Sequence, residues 1–306
     1  MRLATSTLFI ACTLIWGTTW YAITVQLDAV APEAGVALRF ALAAALLMAW
    51  CAWRGIGLAY NRREHLLFAL QGLAGFALSY ILIYHAERFI VSGLVATGYA
   101  AMPLANMVAA RRLYGTPMSR RVAAGGVLCV LGIALVFWPE LAQLSADASS
   151  ALGAALTAAA VLLSCVANMV VMGQQRRGVT QWAPIAWAML YGAIGAALVA
   201  ALLGRPWDIA WSPSFVWSLL YLAIGGSVLA FGAYYLLLQR VGPARAAYIG
   251  VSTPIVALFV SSMLEAFDWQ WQTWAGIVLV VAGSLLGRPM RNLSSTAGAT
   301  PAQSRS

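Results

Sequence analysis

The side chains that could do chemistry in this 306-residue chain are aromatic and uncharged polar groups within apolar segments. In one segment Phe76, Tyr80 and Tyr84 recur every four residues, which places them on one face of a helix. Rings on such a face can stack against an organic molecule while hydroxyl and amide groups orient it, but core, lipid-facing or interfacial aromatics are an equally good interpretation. The predicted substrate cavity consists of Trp16, Thr19, Trp20, Tyr80, Tyr84, Tyr99, Asn106, Asn168, Phe231, Tyr235, Tyr248 and Ser252.

No motif in the sequence is typical of catalysis, nucleotide binding or a metal site. There is no phosphate-binding glycine loop, and neither histidine has a carboxylate at ligand spacing within an apolar segment. Four cysteines show no metal-type spacing and are interpreted as small packing residues: Cys12, Cys51, Cys129 and Cys165. We therefore expect neither an enzyme nor a cofactor.

Three polar residues deep in apolar segments need partners. Without one, the amide of Asn106 or Asn168 costs about 1 kcal/mol or more in hydrocarbon, so each must face a neighbour, water or a ligand. Arg39 lies roughly 9 Å inside its segment and must reach the surface, pair or face an aqueous cavity. Glu265 lies at a comparable level and is a candidate partner. We interpret Arg39 and Glu265 as structural charges, with contact between Arg39 and an anionic substrate as the alternative.

The elements that must position these residues are membrane-spanning helices. The chain is 62% hydrophobic and 9% charged, far outside the composition of soluble proteins. Apolar runs of about 20 residues, the length that crosses a hydrocarbon core of about 30 Å, predict ten spans in an all-α integral membrane protein. The first run is too long for a signal peptide and is predicted to be retained. No Asp or Glu lies near the middle of a span, so coupling through His85 or facilitated transport is expected rather than a carboxylate relay.

The charges predict how the spans are oriented. Every basic residue is an arginine, and with ten spans all but Arg39, Arg88 and Arg205 fall on the side of Met1, whereas nearly all acidic residues fall on the other side. Arginine enrichment is typical of cytoplasmic loops. We predict a multi-pass protein of the bacterial inner membrane with both termini in the cytoplasm, whose net charge of +9 does not indicate nucleic-acid binding.

An internal duplication organises the spans. Residues of Gly75–Gly132 recur 151 positions later in Gly226–Gly283, with glycines and prolines matching at one unbroken register. Five spans in each copy is an odd number, so the copies have opposite orientations, an arrangement typical of transporters with a site between the halves. We predict a first repeat over 1–139, a second over 140–288 and a disordered cytoplasmic tail over 289–306.

Matched prolines and glycines have predicted mechanical roles. Pro103 and Pro254 each remove a backbone hydrogen bond inside a span and are the predicted hinges. Glycines seven residues apart lie on one helix face and allow close helix contact, either in packing, which we favour, or in dimerisation. These glycines are Gly125, Gly132, Gly276 and Gly283.

Over residues 1–288 the chain resembles the EamA family of the drug/metabolite transporter superfamily. The resemblance is carried by Leu14-Ile15-Trp16-Gly17-Thr18, by Leu38-Arg39-Phe40, by the Pro103 and Pro254 motifs and by Leu264-Glu265. It implies a ten-helix inverted-repeat carrier that exports amino acids, related metabolites or drug-like compounds through a central cavity. One departure is that Tyr114 replaces the family's usual glutamate at the end of the fourth span.

The predicted function is a secondary transporter that exports amino acids or related small organic metabolites by alternating access. Its predicted partners are that solute and the lipid bilayer, with the oligomeric state left open. The alternatives are a membrane scaffold or regulatory protein, an exporter of drug-like compounds and, more weakly, a membrane enzyme.

We expect Trp16→Ala and Tyr84→Ala to reduce transport without loss of membrane insertion, because both rings are predicted to line the cavity. Uptake of labelled solute, normalised to the inserted protein, measures the effect. Unchanged transport by both variants would remove these residues from the site.

Overall fold

The computed structural model of the chain describes residues 4–117, 120–139, 148–179, 182–241 and 249–286. The predicted tail, 289–306, lies outside them. The described ranges contain ten helices or near-continuous helical segments: α1 (Thr5–Leu27), α2 (Pro32–Trp53), α3 (Arg62–Ala86), α4 (Ser92–Tyr114), α5 (Arg120–Val136), α6 (Ala148–Gln175), α7 (Trp182–Leu202), α8 (213–241), α9 (Ile249–Leu264) and α10 (Trp271–Leu286). Seven are long and apolar enough to cross a membrane, and α5, α9 and α10 contain shorter apolar helices. The predicted all-helical membrane fold is confirmed.

Local sequence signals fix several helix ends. Before α3, Asn61 accepts a hydrogen bond from the backbone N–H of Glu64, whose carboxylate accepts one from the backbone of Asn61, which is a capping box. Pro32 occupies the first turn of α2, where its missing N–H costs nothing. Helix α4 ends at Tyr114 and is followed by Gly115, whose φ of 64° is the left-handed conformation that glycine adopts most readily.

The helix contacts follow the duplication. Each helix of the first repeat corresponds to the helix five places later in the chain. Three of the largest contacts, α5–α10, α2–α7 and α4–α9, therefore join a helix to its own counterpart in the other repeat. Three further contacts have matched counterparts, namely α1–α9 with α4–α6, α1–α8 with α3–α6, and α2–α8 with α3–α7, whereas the contact of α2 with α3 has no comparable α7–α8 counterpart among the described residues. Packing of this kind is expected from two inverted five-helix units that intertwine.

A second feature shared by the repeats is a π-helical segment inside the third helix of each. In α3 it covers Leu73–Leu78, and in α8 it covers Tyr221–Leu229. A shift of 151 residues places the first segment within the second. Such widened turns are rare in helices and occur frequently at functional sites.

The glycines of the duplicated stretch lie in the contact between α5 and α10. A Cβ atom on Gly276 would lie 2.6 Å from the carbonyl oxygen of Gly132, and one on Gly283 would meet the backbone of Gly125. The helices therefore approach so closely that only glycine fits, which confirms the predicted packing role within one chain.

The predicted hinges lie at irregular or proline-bearing points of α4 and α9. Pro103 lies in the first turn of the second α-helical part of α4, Met102–Tyr114, just after a 3-10 turn at Tyr99–Ala101. Pro254 is buried inside α9. Short 3-10 segments within a helix often mark a hinge, and the pivot role stays a prediction.

We expect Gly276→Ala to destabilise the protein by about 1–3 kcal/mol, because the added methyl group would overlap the backbone of α5. Thermal unfolding in detergent measures this as a lower midpoint. Gly250→Ala is the matched control, since a Cβ atom there has no neighbour within 4 Å in the part of the chain that the structure describes. Equal midpoints for the two variants would contradict the close α5–α10 contact.

Candidate substrate site between the repeats

Aromatic rings from four helices form a continuous chain at the centre of the bundle. Trp16 of α1 contacts Phe231 of α8 with ring centroids 5.2 Å apart, and Phe231 lies 6.0 Å from Phe76 of α3. Phe76 lies 5.0 Å from Phe40 of α2, whose ring contacts Tyr80 at 4.8 Å. Edge-to-face and tilted pairs such as these are favourable for aromatic rings. The chain of rings crosses between the repeats, so it couples their positions.

Arg39 is buried at this centre, with 2% of its surface exposed. Its Nε donates to the Oγ atom of Ser227 over 3.3 Å, and its guanidinium lies 4.7 Å from the ring centroid of Tyr80 and 5.2 Å from that of Phe40. Ser227 in turn donates to the carbonyl oxygen of Leu222, five residues earlier. Arg39 of the first repeat is thus held by the π-helical segment of the second, with two rings contributing cation–π attraction.

The suggested pairing of Arg39 with Glu265 is wrong, since the ion pairs between described residues do not include it. Glu265 instead accepts hydrogen bonds from the backbone N–H of Ser92 over 3.1 Å and from the hydroxyls of Ser92 and Ser261 over 2.5 Å. Its carboxylate therefore caps the N-terminus of α4, where negative charge is favoured. A similar predicted depth in the membrane does not imply contact. Arg39 donates to Ser227 of α8, whereas Glu265 accepts from Ser92 of α4 and from Ser261 of its own helix.

A second polar cluster surrounds Tyr99. Its hydroxyl lies 3.0 Å from the Oγ atom of Ser79 and 3.2 Å from that of Ser164, and the two serines are 2.7 Å apart. The ring of Tyr99 contacts that of Trp20 at 5.2 Å. The indole N–H of Trp20 is buried and finds no acceptor among the described residues. This cluster joins α1, α3, α4 and α6.

The two predicted asparagines contact each other. Asn168 of α6 donates through Nδ2 to the Oδ1 atom of Asn106 on α4 over 3.3 Å and to the sulfur of Met102 over 3.2 Å. Both side chains are half-buried. The pair satisfies part of their hydrogen-bonding capacity and joins α4 to α6.

Other predicted cavity residues have their polar groups engaged. Tyr84 is fully buried and donates to the Oε1 atom of Gln26 over 2.7 Å, which makes it a packing residue in this conformation. Thr19 donates to the carbonyl oxygen of Trp16 in its own helix. Ser252 is half-buried in α9. The side chain of Tyr235 and the whole of Tyr248 lie outside the described residues.

The central rings of Trp16, Trp20, Tyr80, Tyr99 and Phe231 are half-buried. Two clefts of about 290 and 280 Å³ lie elsewhere, one among α3, α4 and α6 and one beside the α9–α10 turn, and none of the predicted cavity residues lines either. That the central residues line an open cavity during transport thus stays a prediction. The sequence did not single out Phe40 or the hydroxyls of Ser79, Ser164 and Ser227 as part of the site. For the three serines, the only signal was a small polar residue in an apolar span.

One end of the bundle, here called the acidic end, consists of the turns at 28–31, 87–91, 203–212 and 265–270. Buried Glu33 lies there, with its Oε1 atom 2.9 Å from Nε2 of His85 and 3.6 Å from Nε of Arg205. All residues of Ser92–Gly98 are buried, whereas α4 is half-buried or exposed over 101–108. Helix α4 is therefore enclosed by its neighbours next to the acidic end and more exposed towards the other, arginine-rich end.

Tyr114 stands 151 positions before Glu265, at the opposite end of the bundle. Its hydroxyl donates to the carbonyl oxygen of Met169 over 2.6 Å, and the guanidinium of Arg176 lies 4.6 Å from its ring centroid. Tyr114 thus joins α4 to α6 through a neutral hydrogen bond and a cation–π contact, where its counterpart Glu265 joins α9 to α4 through a carboxylate.

Ten helices in two repeats, wrapped around an aromatic and polar centre, define a multi-pass membrane transporter, and comparison with known proteins gives its family. The chain belongs to the EamA-like transporter family, which matches residues 4–138 and 152–287. It is therefore a transporter and not an enzyme, which confirms the predicted family and excludes the scaffold and enzyme alternatives.

Individual relatives cover nearly the whole chain. Protein PagO of Salmonella typhimurium is 22% identical over 96% of both chains. The uncharacterized inner membrane transporter YedA of Escherichia coli is 25% identical over 89% of this chain and 87% of its own, and the uncharacterized transporter YoaV of Bacillus subtilis is 24% identical over 90% and 91%. A solved crystal structure shares the fold with a TM-score of 0.67 at 18% identity, covering 94% of this chain and 98% of that one.

We expect Tyr84→Phe to lower stability by about 1–3 kcal/mol, because it leaves the buried Oε1 atom of Gln26 without its donor. The unfolding midpoint should fall while transport per folded molecule is retained. Tyr21→Phe is the control, since the hydroxyl of half-buried Tyr21 makes no hydrogen bond within the described residues. A Tyr84→Phe variant with normal stability but no transport would place Tyr84 in the substrate site instead.

Proposed function

We propose that this transporter exports amino acids or closely related small organic metabolites across the bacterial inner membrane by alternating access. The arginine-rich end faces the cytoplasm and the acidic end faces outward. The name of the relative YedA as an inner membrane transporter and the arginine distribution support this location.

The proposed substrate class rests on one observation, a pair of buried hydrogen-bond donors beside aromatic rings. The Nη1 atom of Arg39 and the Nε1 atom of Trp20 are both inaccessible to solvent and have no acceptor among the described residues. Such donors cost about 1–3 kcal/mol each when left unpaired, more for the charged one. A ligand that brings a carboxylate would recover this cost.

The two donors belong to one connected region. Trp20 packs on Tyr99, whose hydroxyl contacts Ser79, and the next residue, Tyr80, lies under the guanidinium of Arg39. A carboxylate bound between Arg39 and Trp20 would place the rest of a small molecule against these rings. The site therefore favours amino acids with apolar or aromatic side chains.

The closed acidic end supports alternating access. Glu265 joins the end of α9 to the start of α4. Glu33 joins the start of α2 to the end of α3 through His85 and to the turn after α7 through Arg205. Release of solute outward requires these contacts to break while the opposite end closes. Pro103, Pro254 and the two π-helical segments are the proposed pivots.

Export of uncharged drug-like compounds is the second candidate. The unbroken run of rings from Trp16 to Tyr80 favours it, since aromatic surfaces bind apolar molecules of many shapes. It differs from the first proposal in needing no carboxylate.

Uptake of labelled amino acids into proteoliposomes, measured with and without a proton gradient, tests the proposal. Empty liposomes are the control. Saturable uptake of one or more amino acids is expected, and dependence on the gradient distinguishes coupled export from facilitation. Uptake of a lipophilic dye together with no uptake of any amino acid, by protein of verified fold, would contradict the proposed substrate class and favour the second candidate.

We expect Trp20→Phe to raise the KM for L-phenylalanine about ten- to hundredfold, because the ring contact with Tyr99 is kept while a donor to the substrate carboxylate is lost. Transport of L-phenylalaninamide, which lacks the carboxylate, should be low in the parent protein and unaffected by the change. Trp217→Phe is the control, since Trp217 is 71% exposed on α8. An unchanged KM for L-phenylalanine would remove Trp20 from carboxylate binding.

A further inference from the structure

Glu87 is a buried carboxylate that the sequence places in an outer turn. It immediately follows α3 at the acidic end and is 8% exposed. Both of its carboxylate oxygens are inaccessible to solvent, and neither has a hydrogen-bond donor within the described part of the chain. A buried ionised carboxylate without donors is strongly unfavourable, so such a group takes up a proton instead.

The groups that face Glu87 do not supply the missing donors. Arg39 approaches from α2, Tyr84 from α3 and Glu265 from the end of α9. Arg39 donates to Ser227, Tyr84 donates to Gln26, and Glu265 is itself an acceptor that holds the hydroxyls of Ser92 and Ser261. Glu87 therefore sits beside a like charge, with the nearby donors directed elsewhere.

Burial is the main cause that raises the pKa of Glu87 well above its ordinary value, and the negative charge of Glu265 raises it further. The positive charge of Arg39 opposes these effects only in part. Because the pKa is raised in this conformation, the protonated form stabilises it. That stabilisation is complete below the ordinary carboxyl pKa and is lost as the pH rises through the raised one.

We propose that Glu87 is a proton-binding site whose carboxyl is protonated while the acidic end is closed and releases its proton to water when that end opens. The step is a proton exchange with the solvent at the acidic end and needs no other reactant. Closure of that end takes up one proton, so a lower pH on that side favours the closed conformation. Proton binding stands on the structure alone, whereas a link between this proton and the transport cycle rests on the proposed function.

Infrared spectroscopy of the protein in a detergent without ester or carboxyl groups tests the proton directly and needs no substrate. A protonated carboxylic acid has a carbonyl stretching band that a carboxylate and an amide lack, and this band should be present at neutral pH and disappear on alkaline titration. Glu87→Gln should abolish it. Glu64→Gln is the matched control, because Glu64 lies in the exposed capping box, where glutamine serves equally well.

Glu265→Gln separates the two carboxyl groups. The band should remain in this variant and titrate at lower pH, because the neighbouring negative charge is gone. A band that persists unchanged in Glu87→Gln, or that disappears in Glu265→Gln instead, would overturn the assignment to Glu87.

The conformational part is tested by labelling a cysteine at Leu94, which is buried at the closed acidic end. In a variant without the four native cysteines, labelling of Leu94→Cys by a membrane-impermeant maleimide should rise with pH by up to about tenfold per unit, the response of an opening that releases one proton. Labelling of exposed Asp268→Cys corrects for thiol reactivity. With Glu87→Gln added, the corrected rate should be independent of pH, and a persisting pH dependence would overturn the proposal.

Discussion

A guanidinium group in the middle of a membrane protein must be compensated by its surroundings, and the compensation of Arg39 is the interaction on which the centre of this transporter depends. The compensation comes from the hydroxyl of Ser227 and from the rings of Phe40 and Tyr80. Ser227 belongs to the π-helical segment of α8, and the carbonyl oxygen of the preceding Gly226 accepts the indole N–H of Trp16. Two side chains of the first repeat are thus anchored on one irregular segment of the second.

The duplication makes the two repeats similar in helix packing, but residues at equivalent positions in the repeats can differ in type and in the contacts they make. Most of the larger helix contacts occur in matched sets and both repeats carry a π-helical segment, as expected of two related units with opposite orientations. Glu265 and Tyr114 occupy equivalent positions but bind differently, one through a carboxylate at the acidic end and one through a neutral hydroxyl at the opposite end. The carboxylate contact of Glu265 thus has a neutral hydrogen bond as its counterpart in the first repeat.

The fold could be predicted from the sequence because its signals are long and repeated. Three signals carried the prediction: ten apolar runs, one register of matched residues and a one-sided arginine distribution. Each signal extends over many residues, so no single residue decides it. The close contact at Gly132 and Gly276 also followed, since a glycine pair on one helix face has few other uses.

The site could be predicted only in part, because depth along a helix does not reveal how that helix is rotated against its neighbours. Trp16, Tyr80 and Phe231 do meet at the centre, together with Phe76. Tyr84, on the same stripe as Tyr80, is instead buried against Gln26, and Arg39 binds a serine rather than Glu265. Glu87 was assigned to an outer loop from its position alone, and only the packing of α2 and α9 around it makes it a buried acid.

Alternating opening of the two ends of the bundle is tested most directly by distances between spin labels. One pair at Arg88 and Asp268 reports on the acidic end, and one at Arg112 and Arg240 reports on the opposite end; all four residues are exposed. In liposomes, alternating access predicts two distance populations at each end, with conditions that lengthen one distance shortening the other. A single unchanging distance at both ends, or simultaneous lengthening at both, would contradict it.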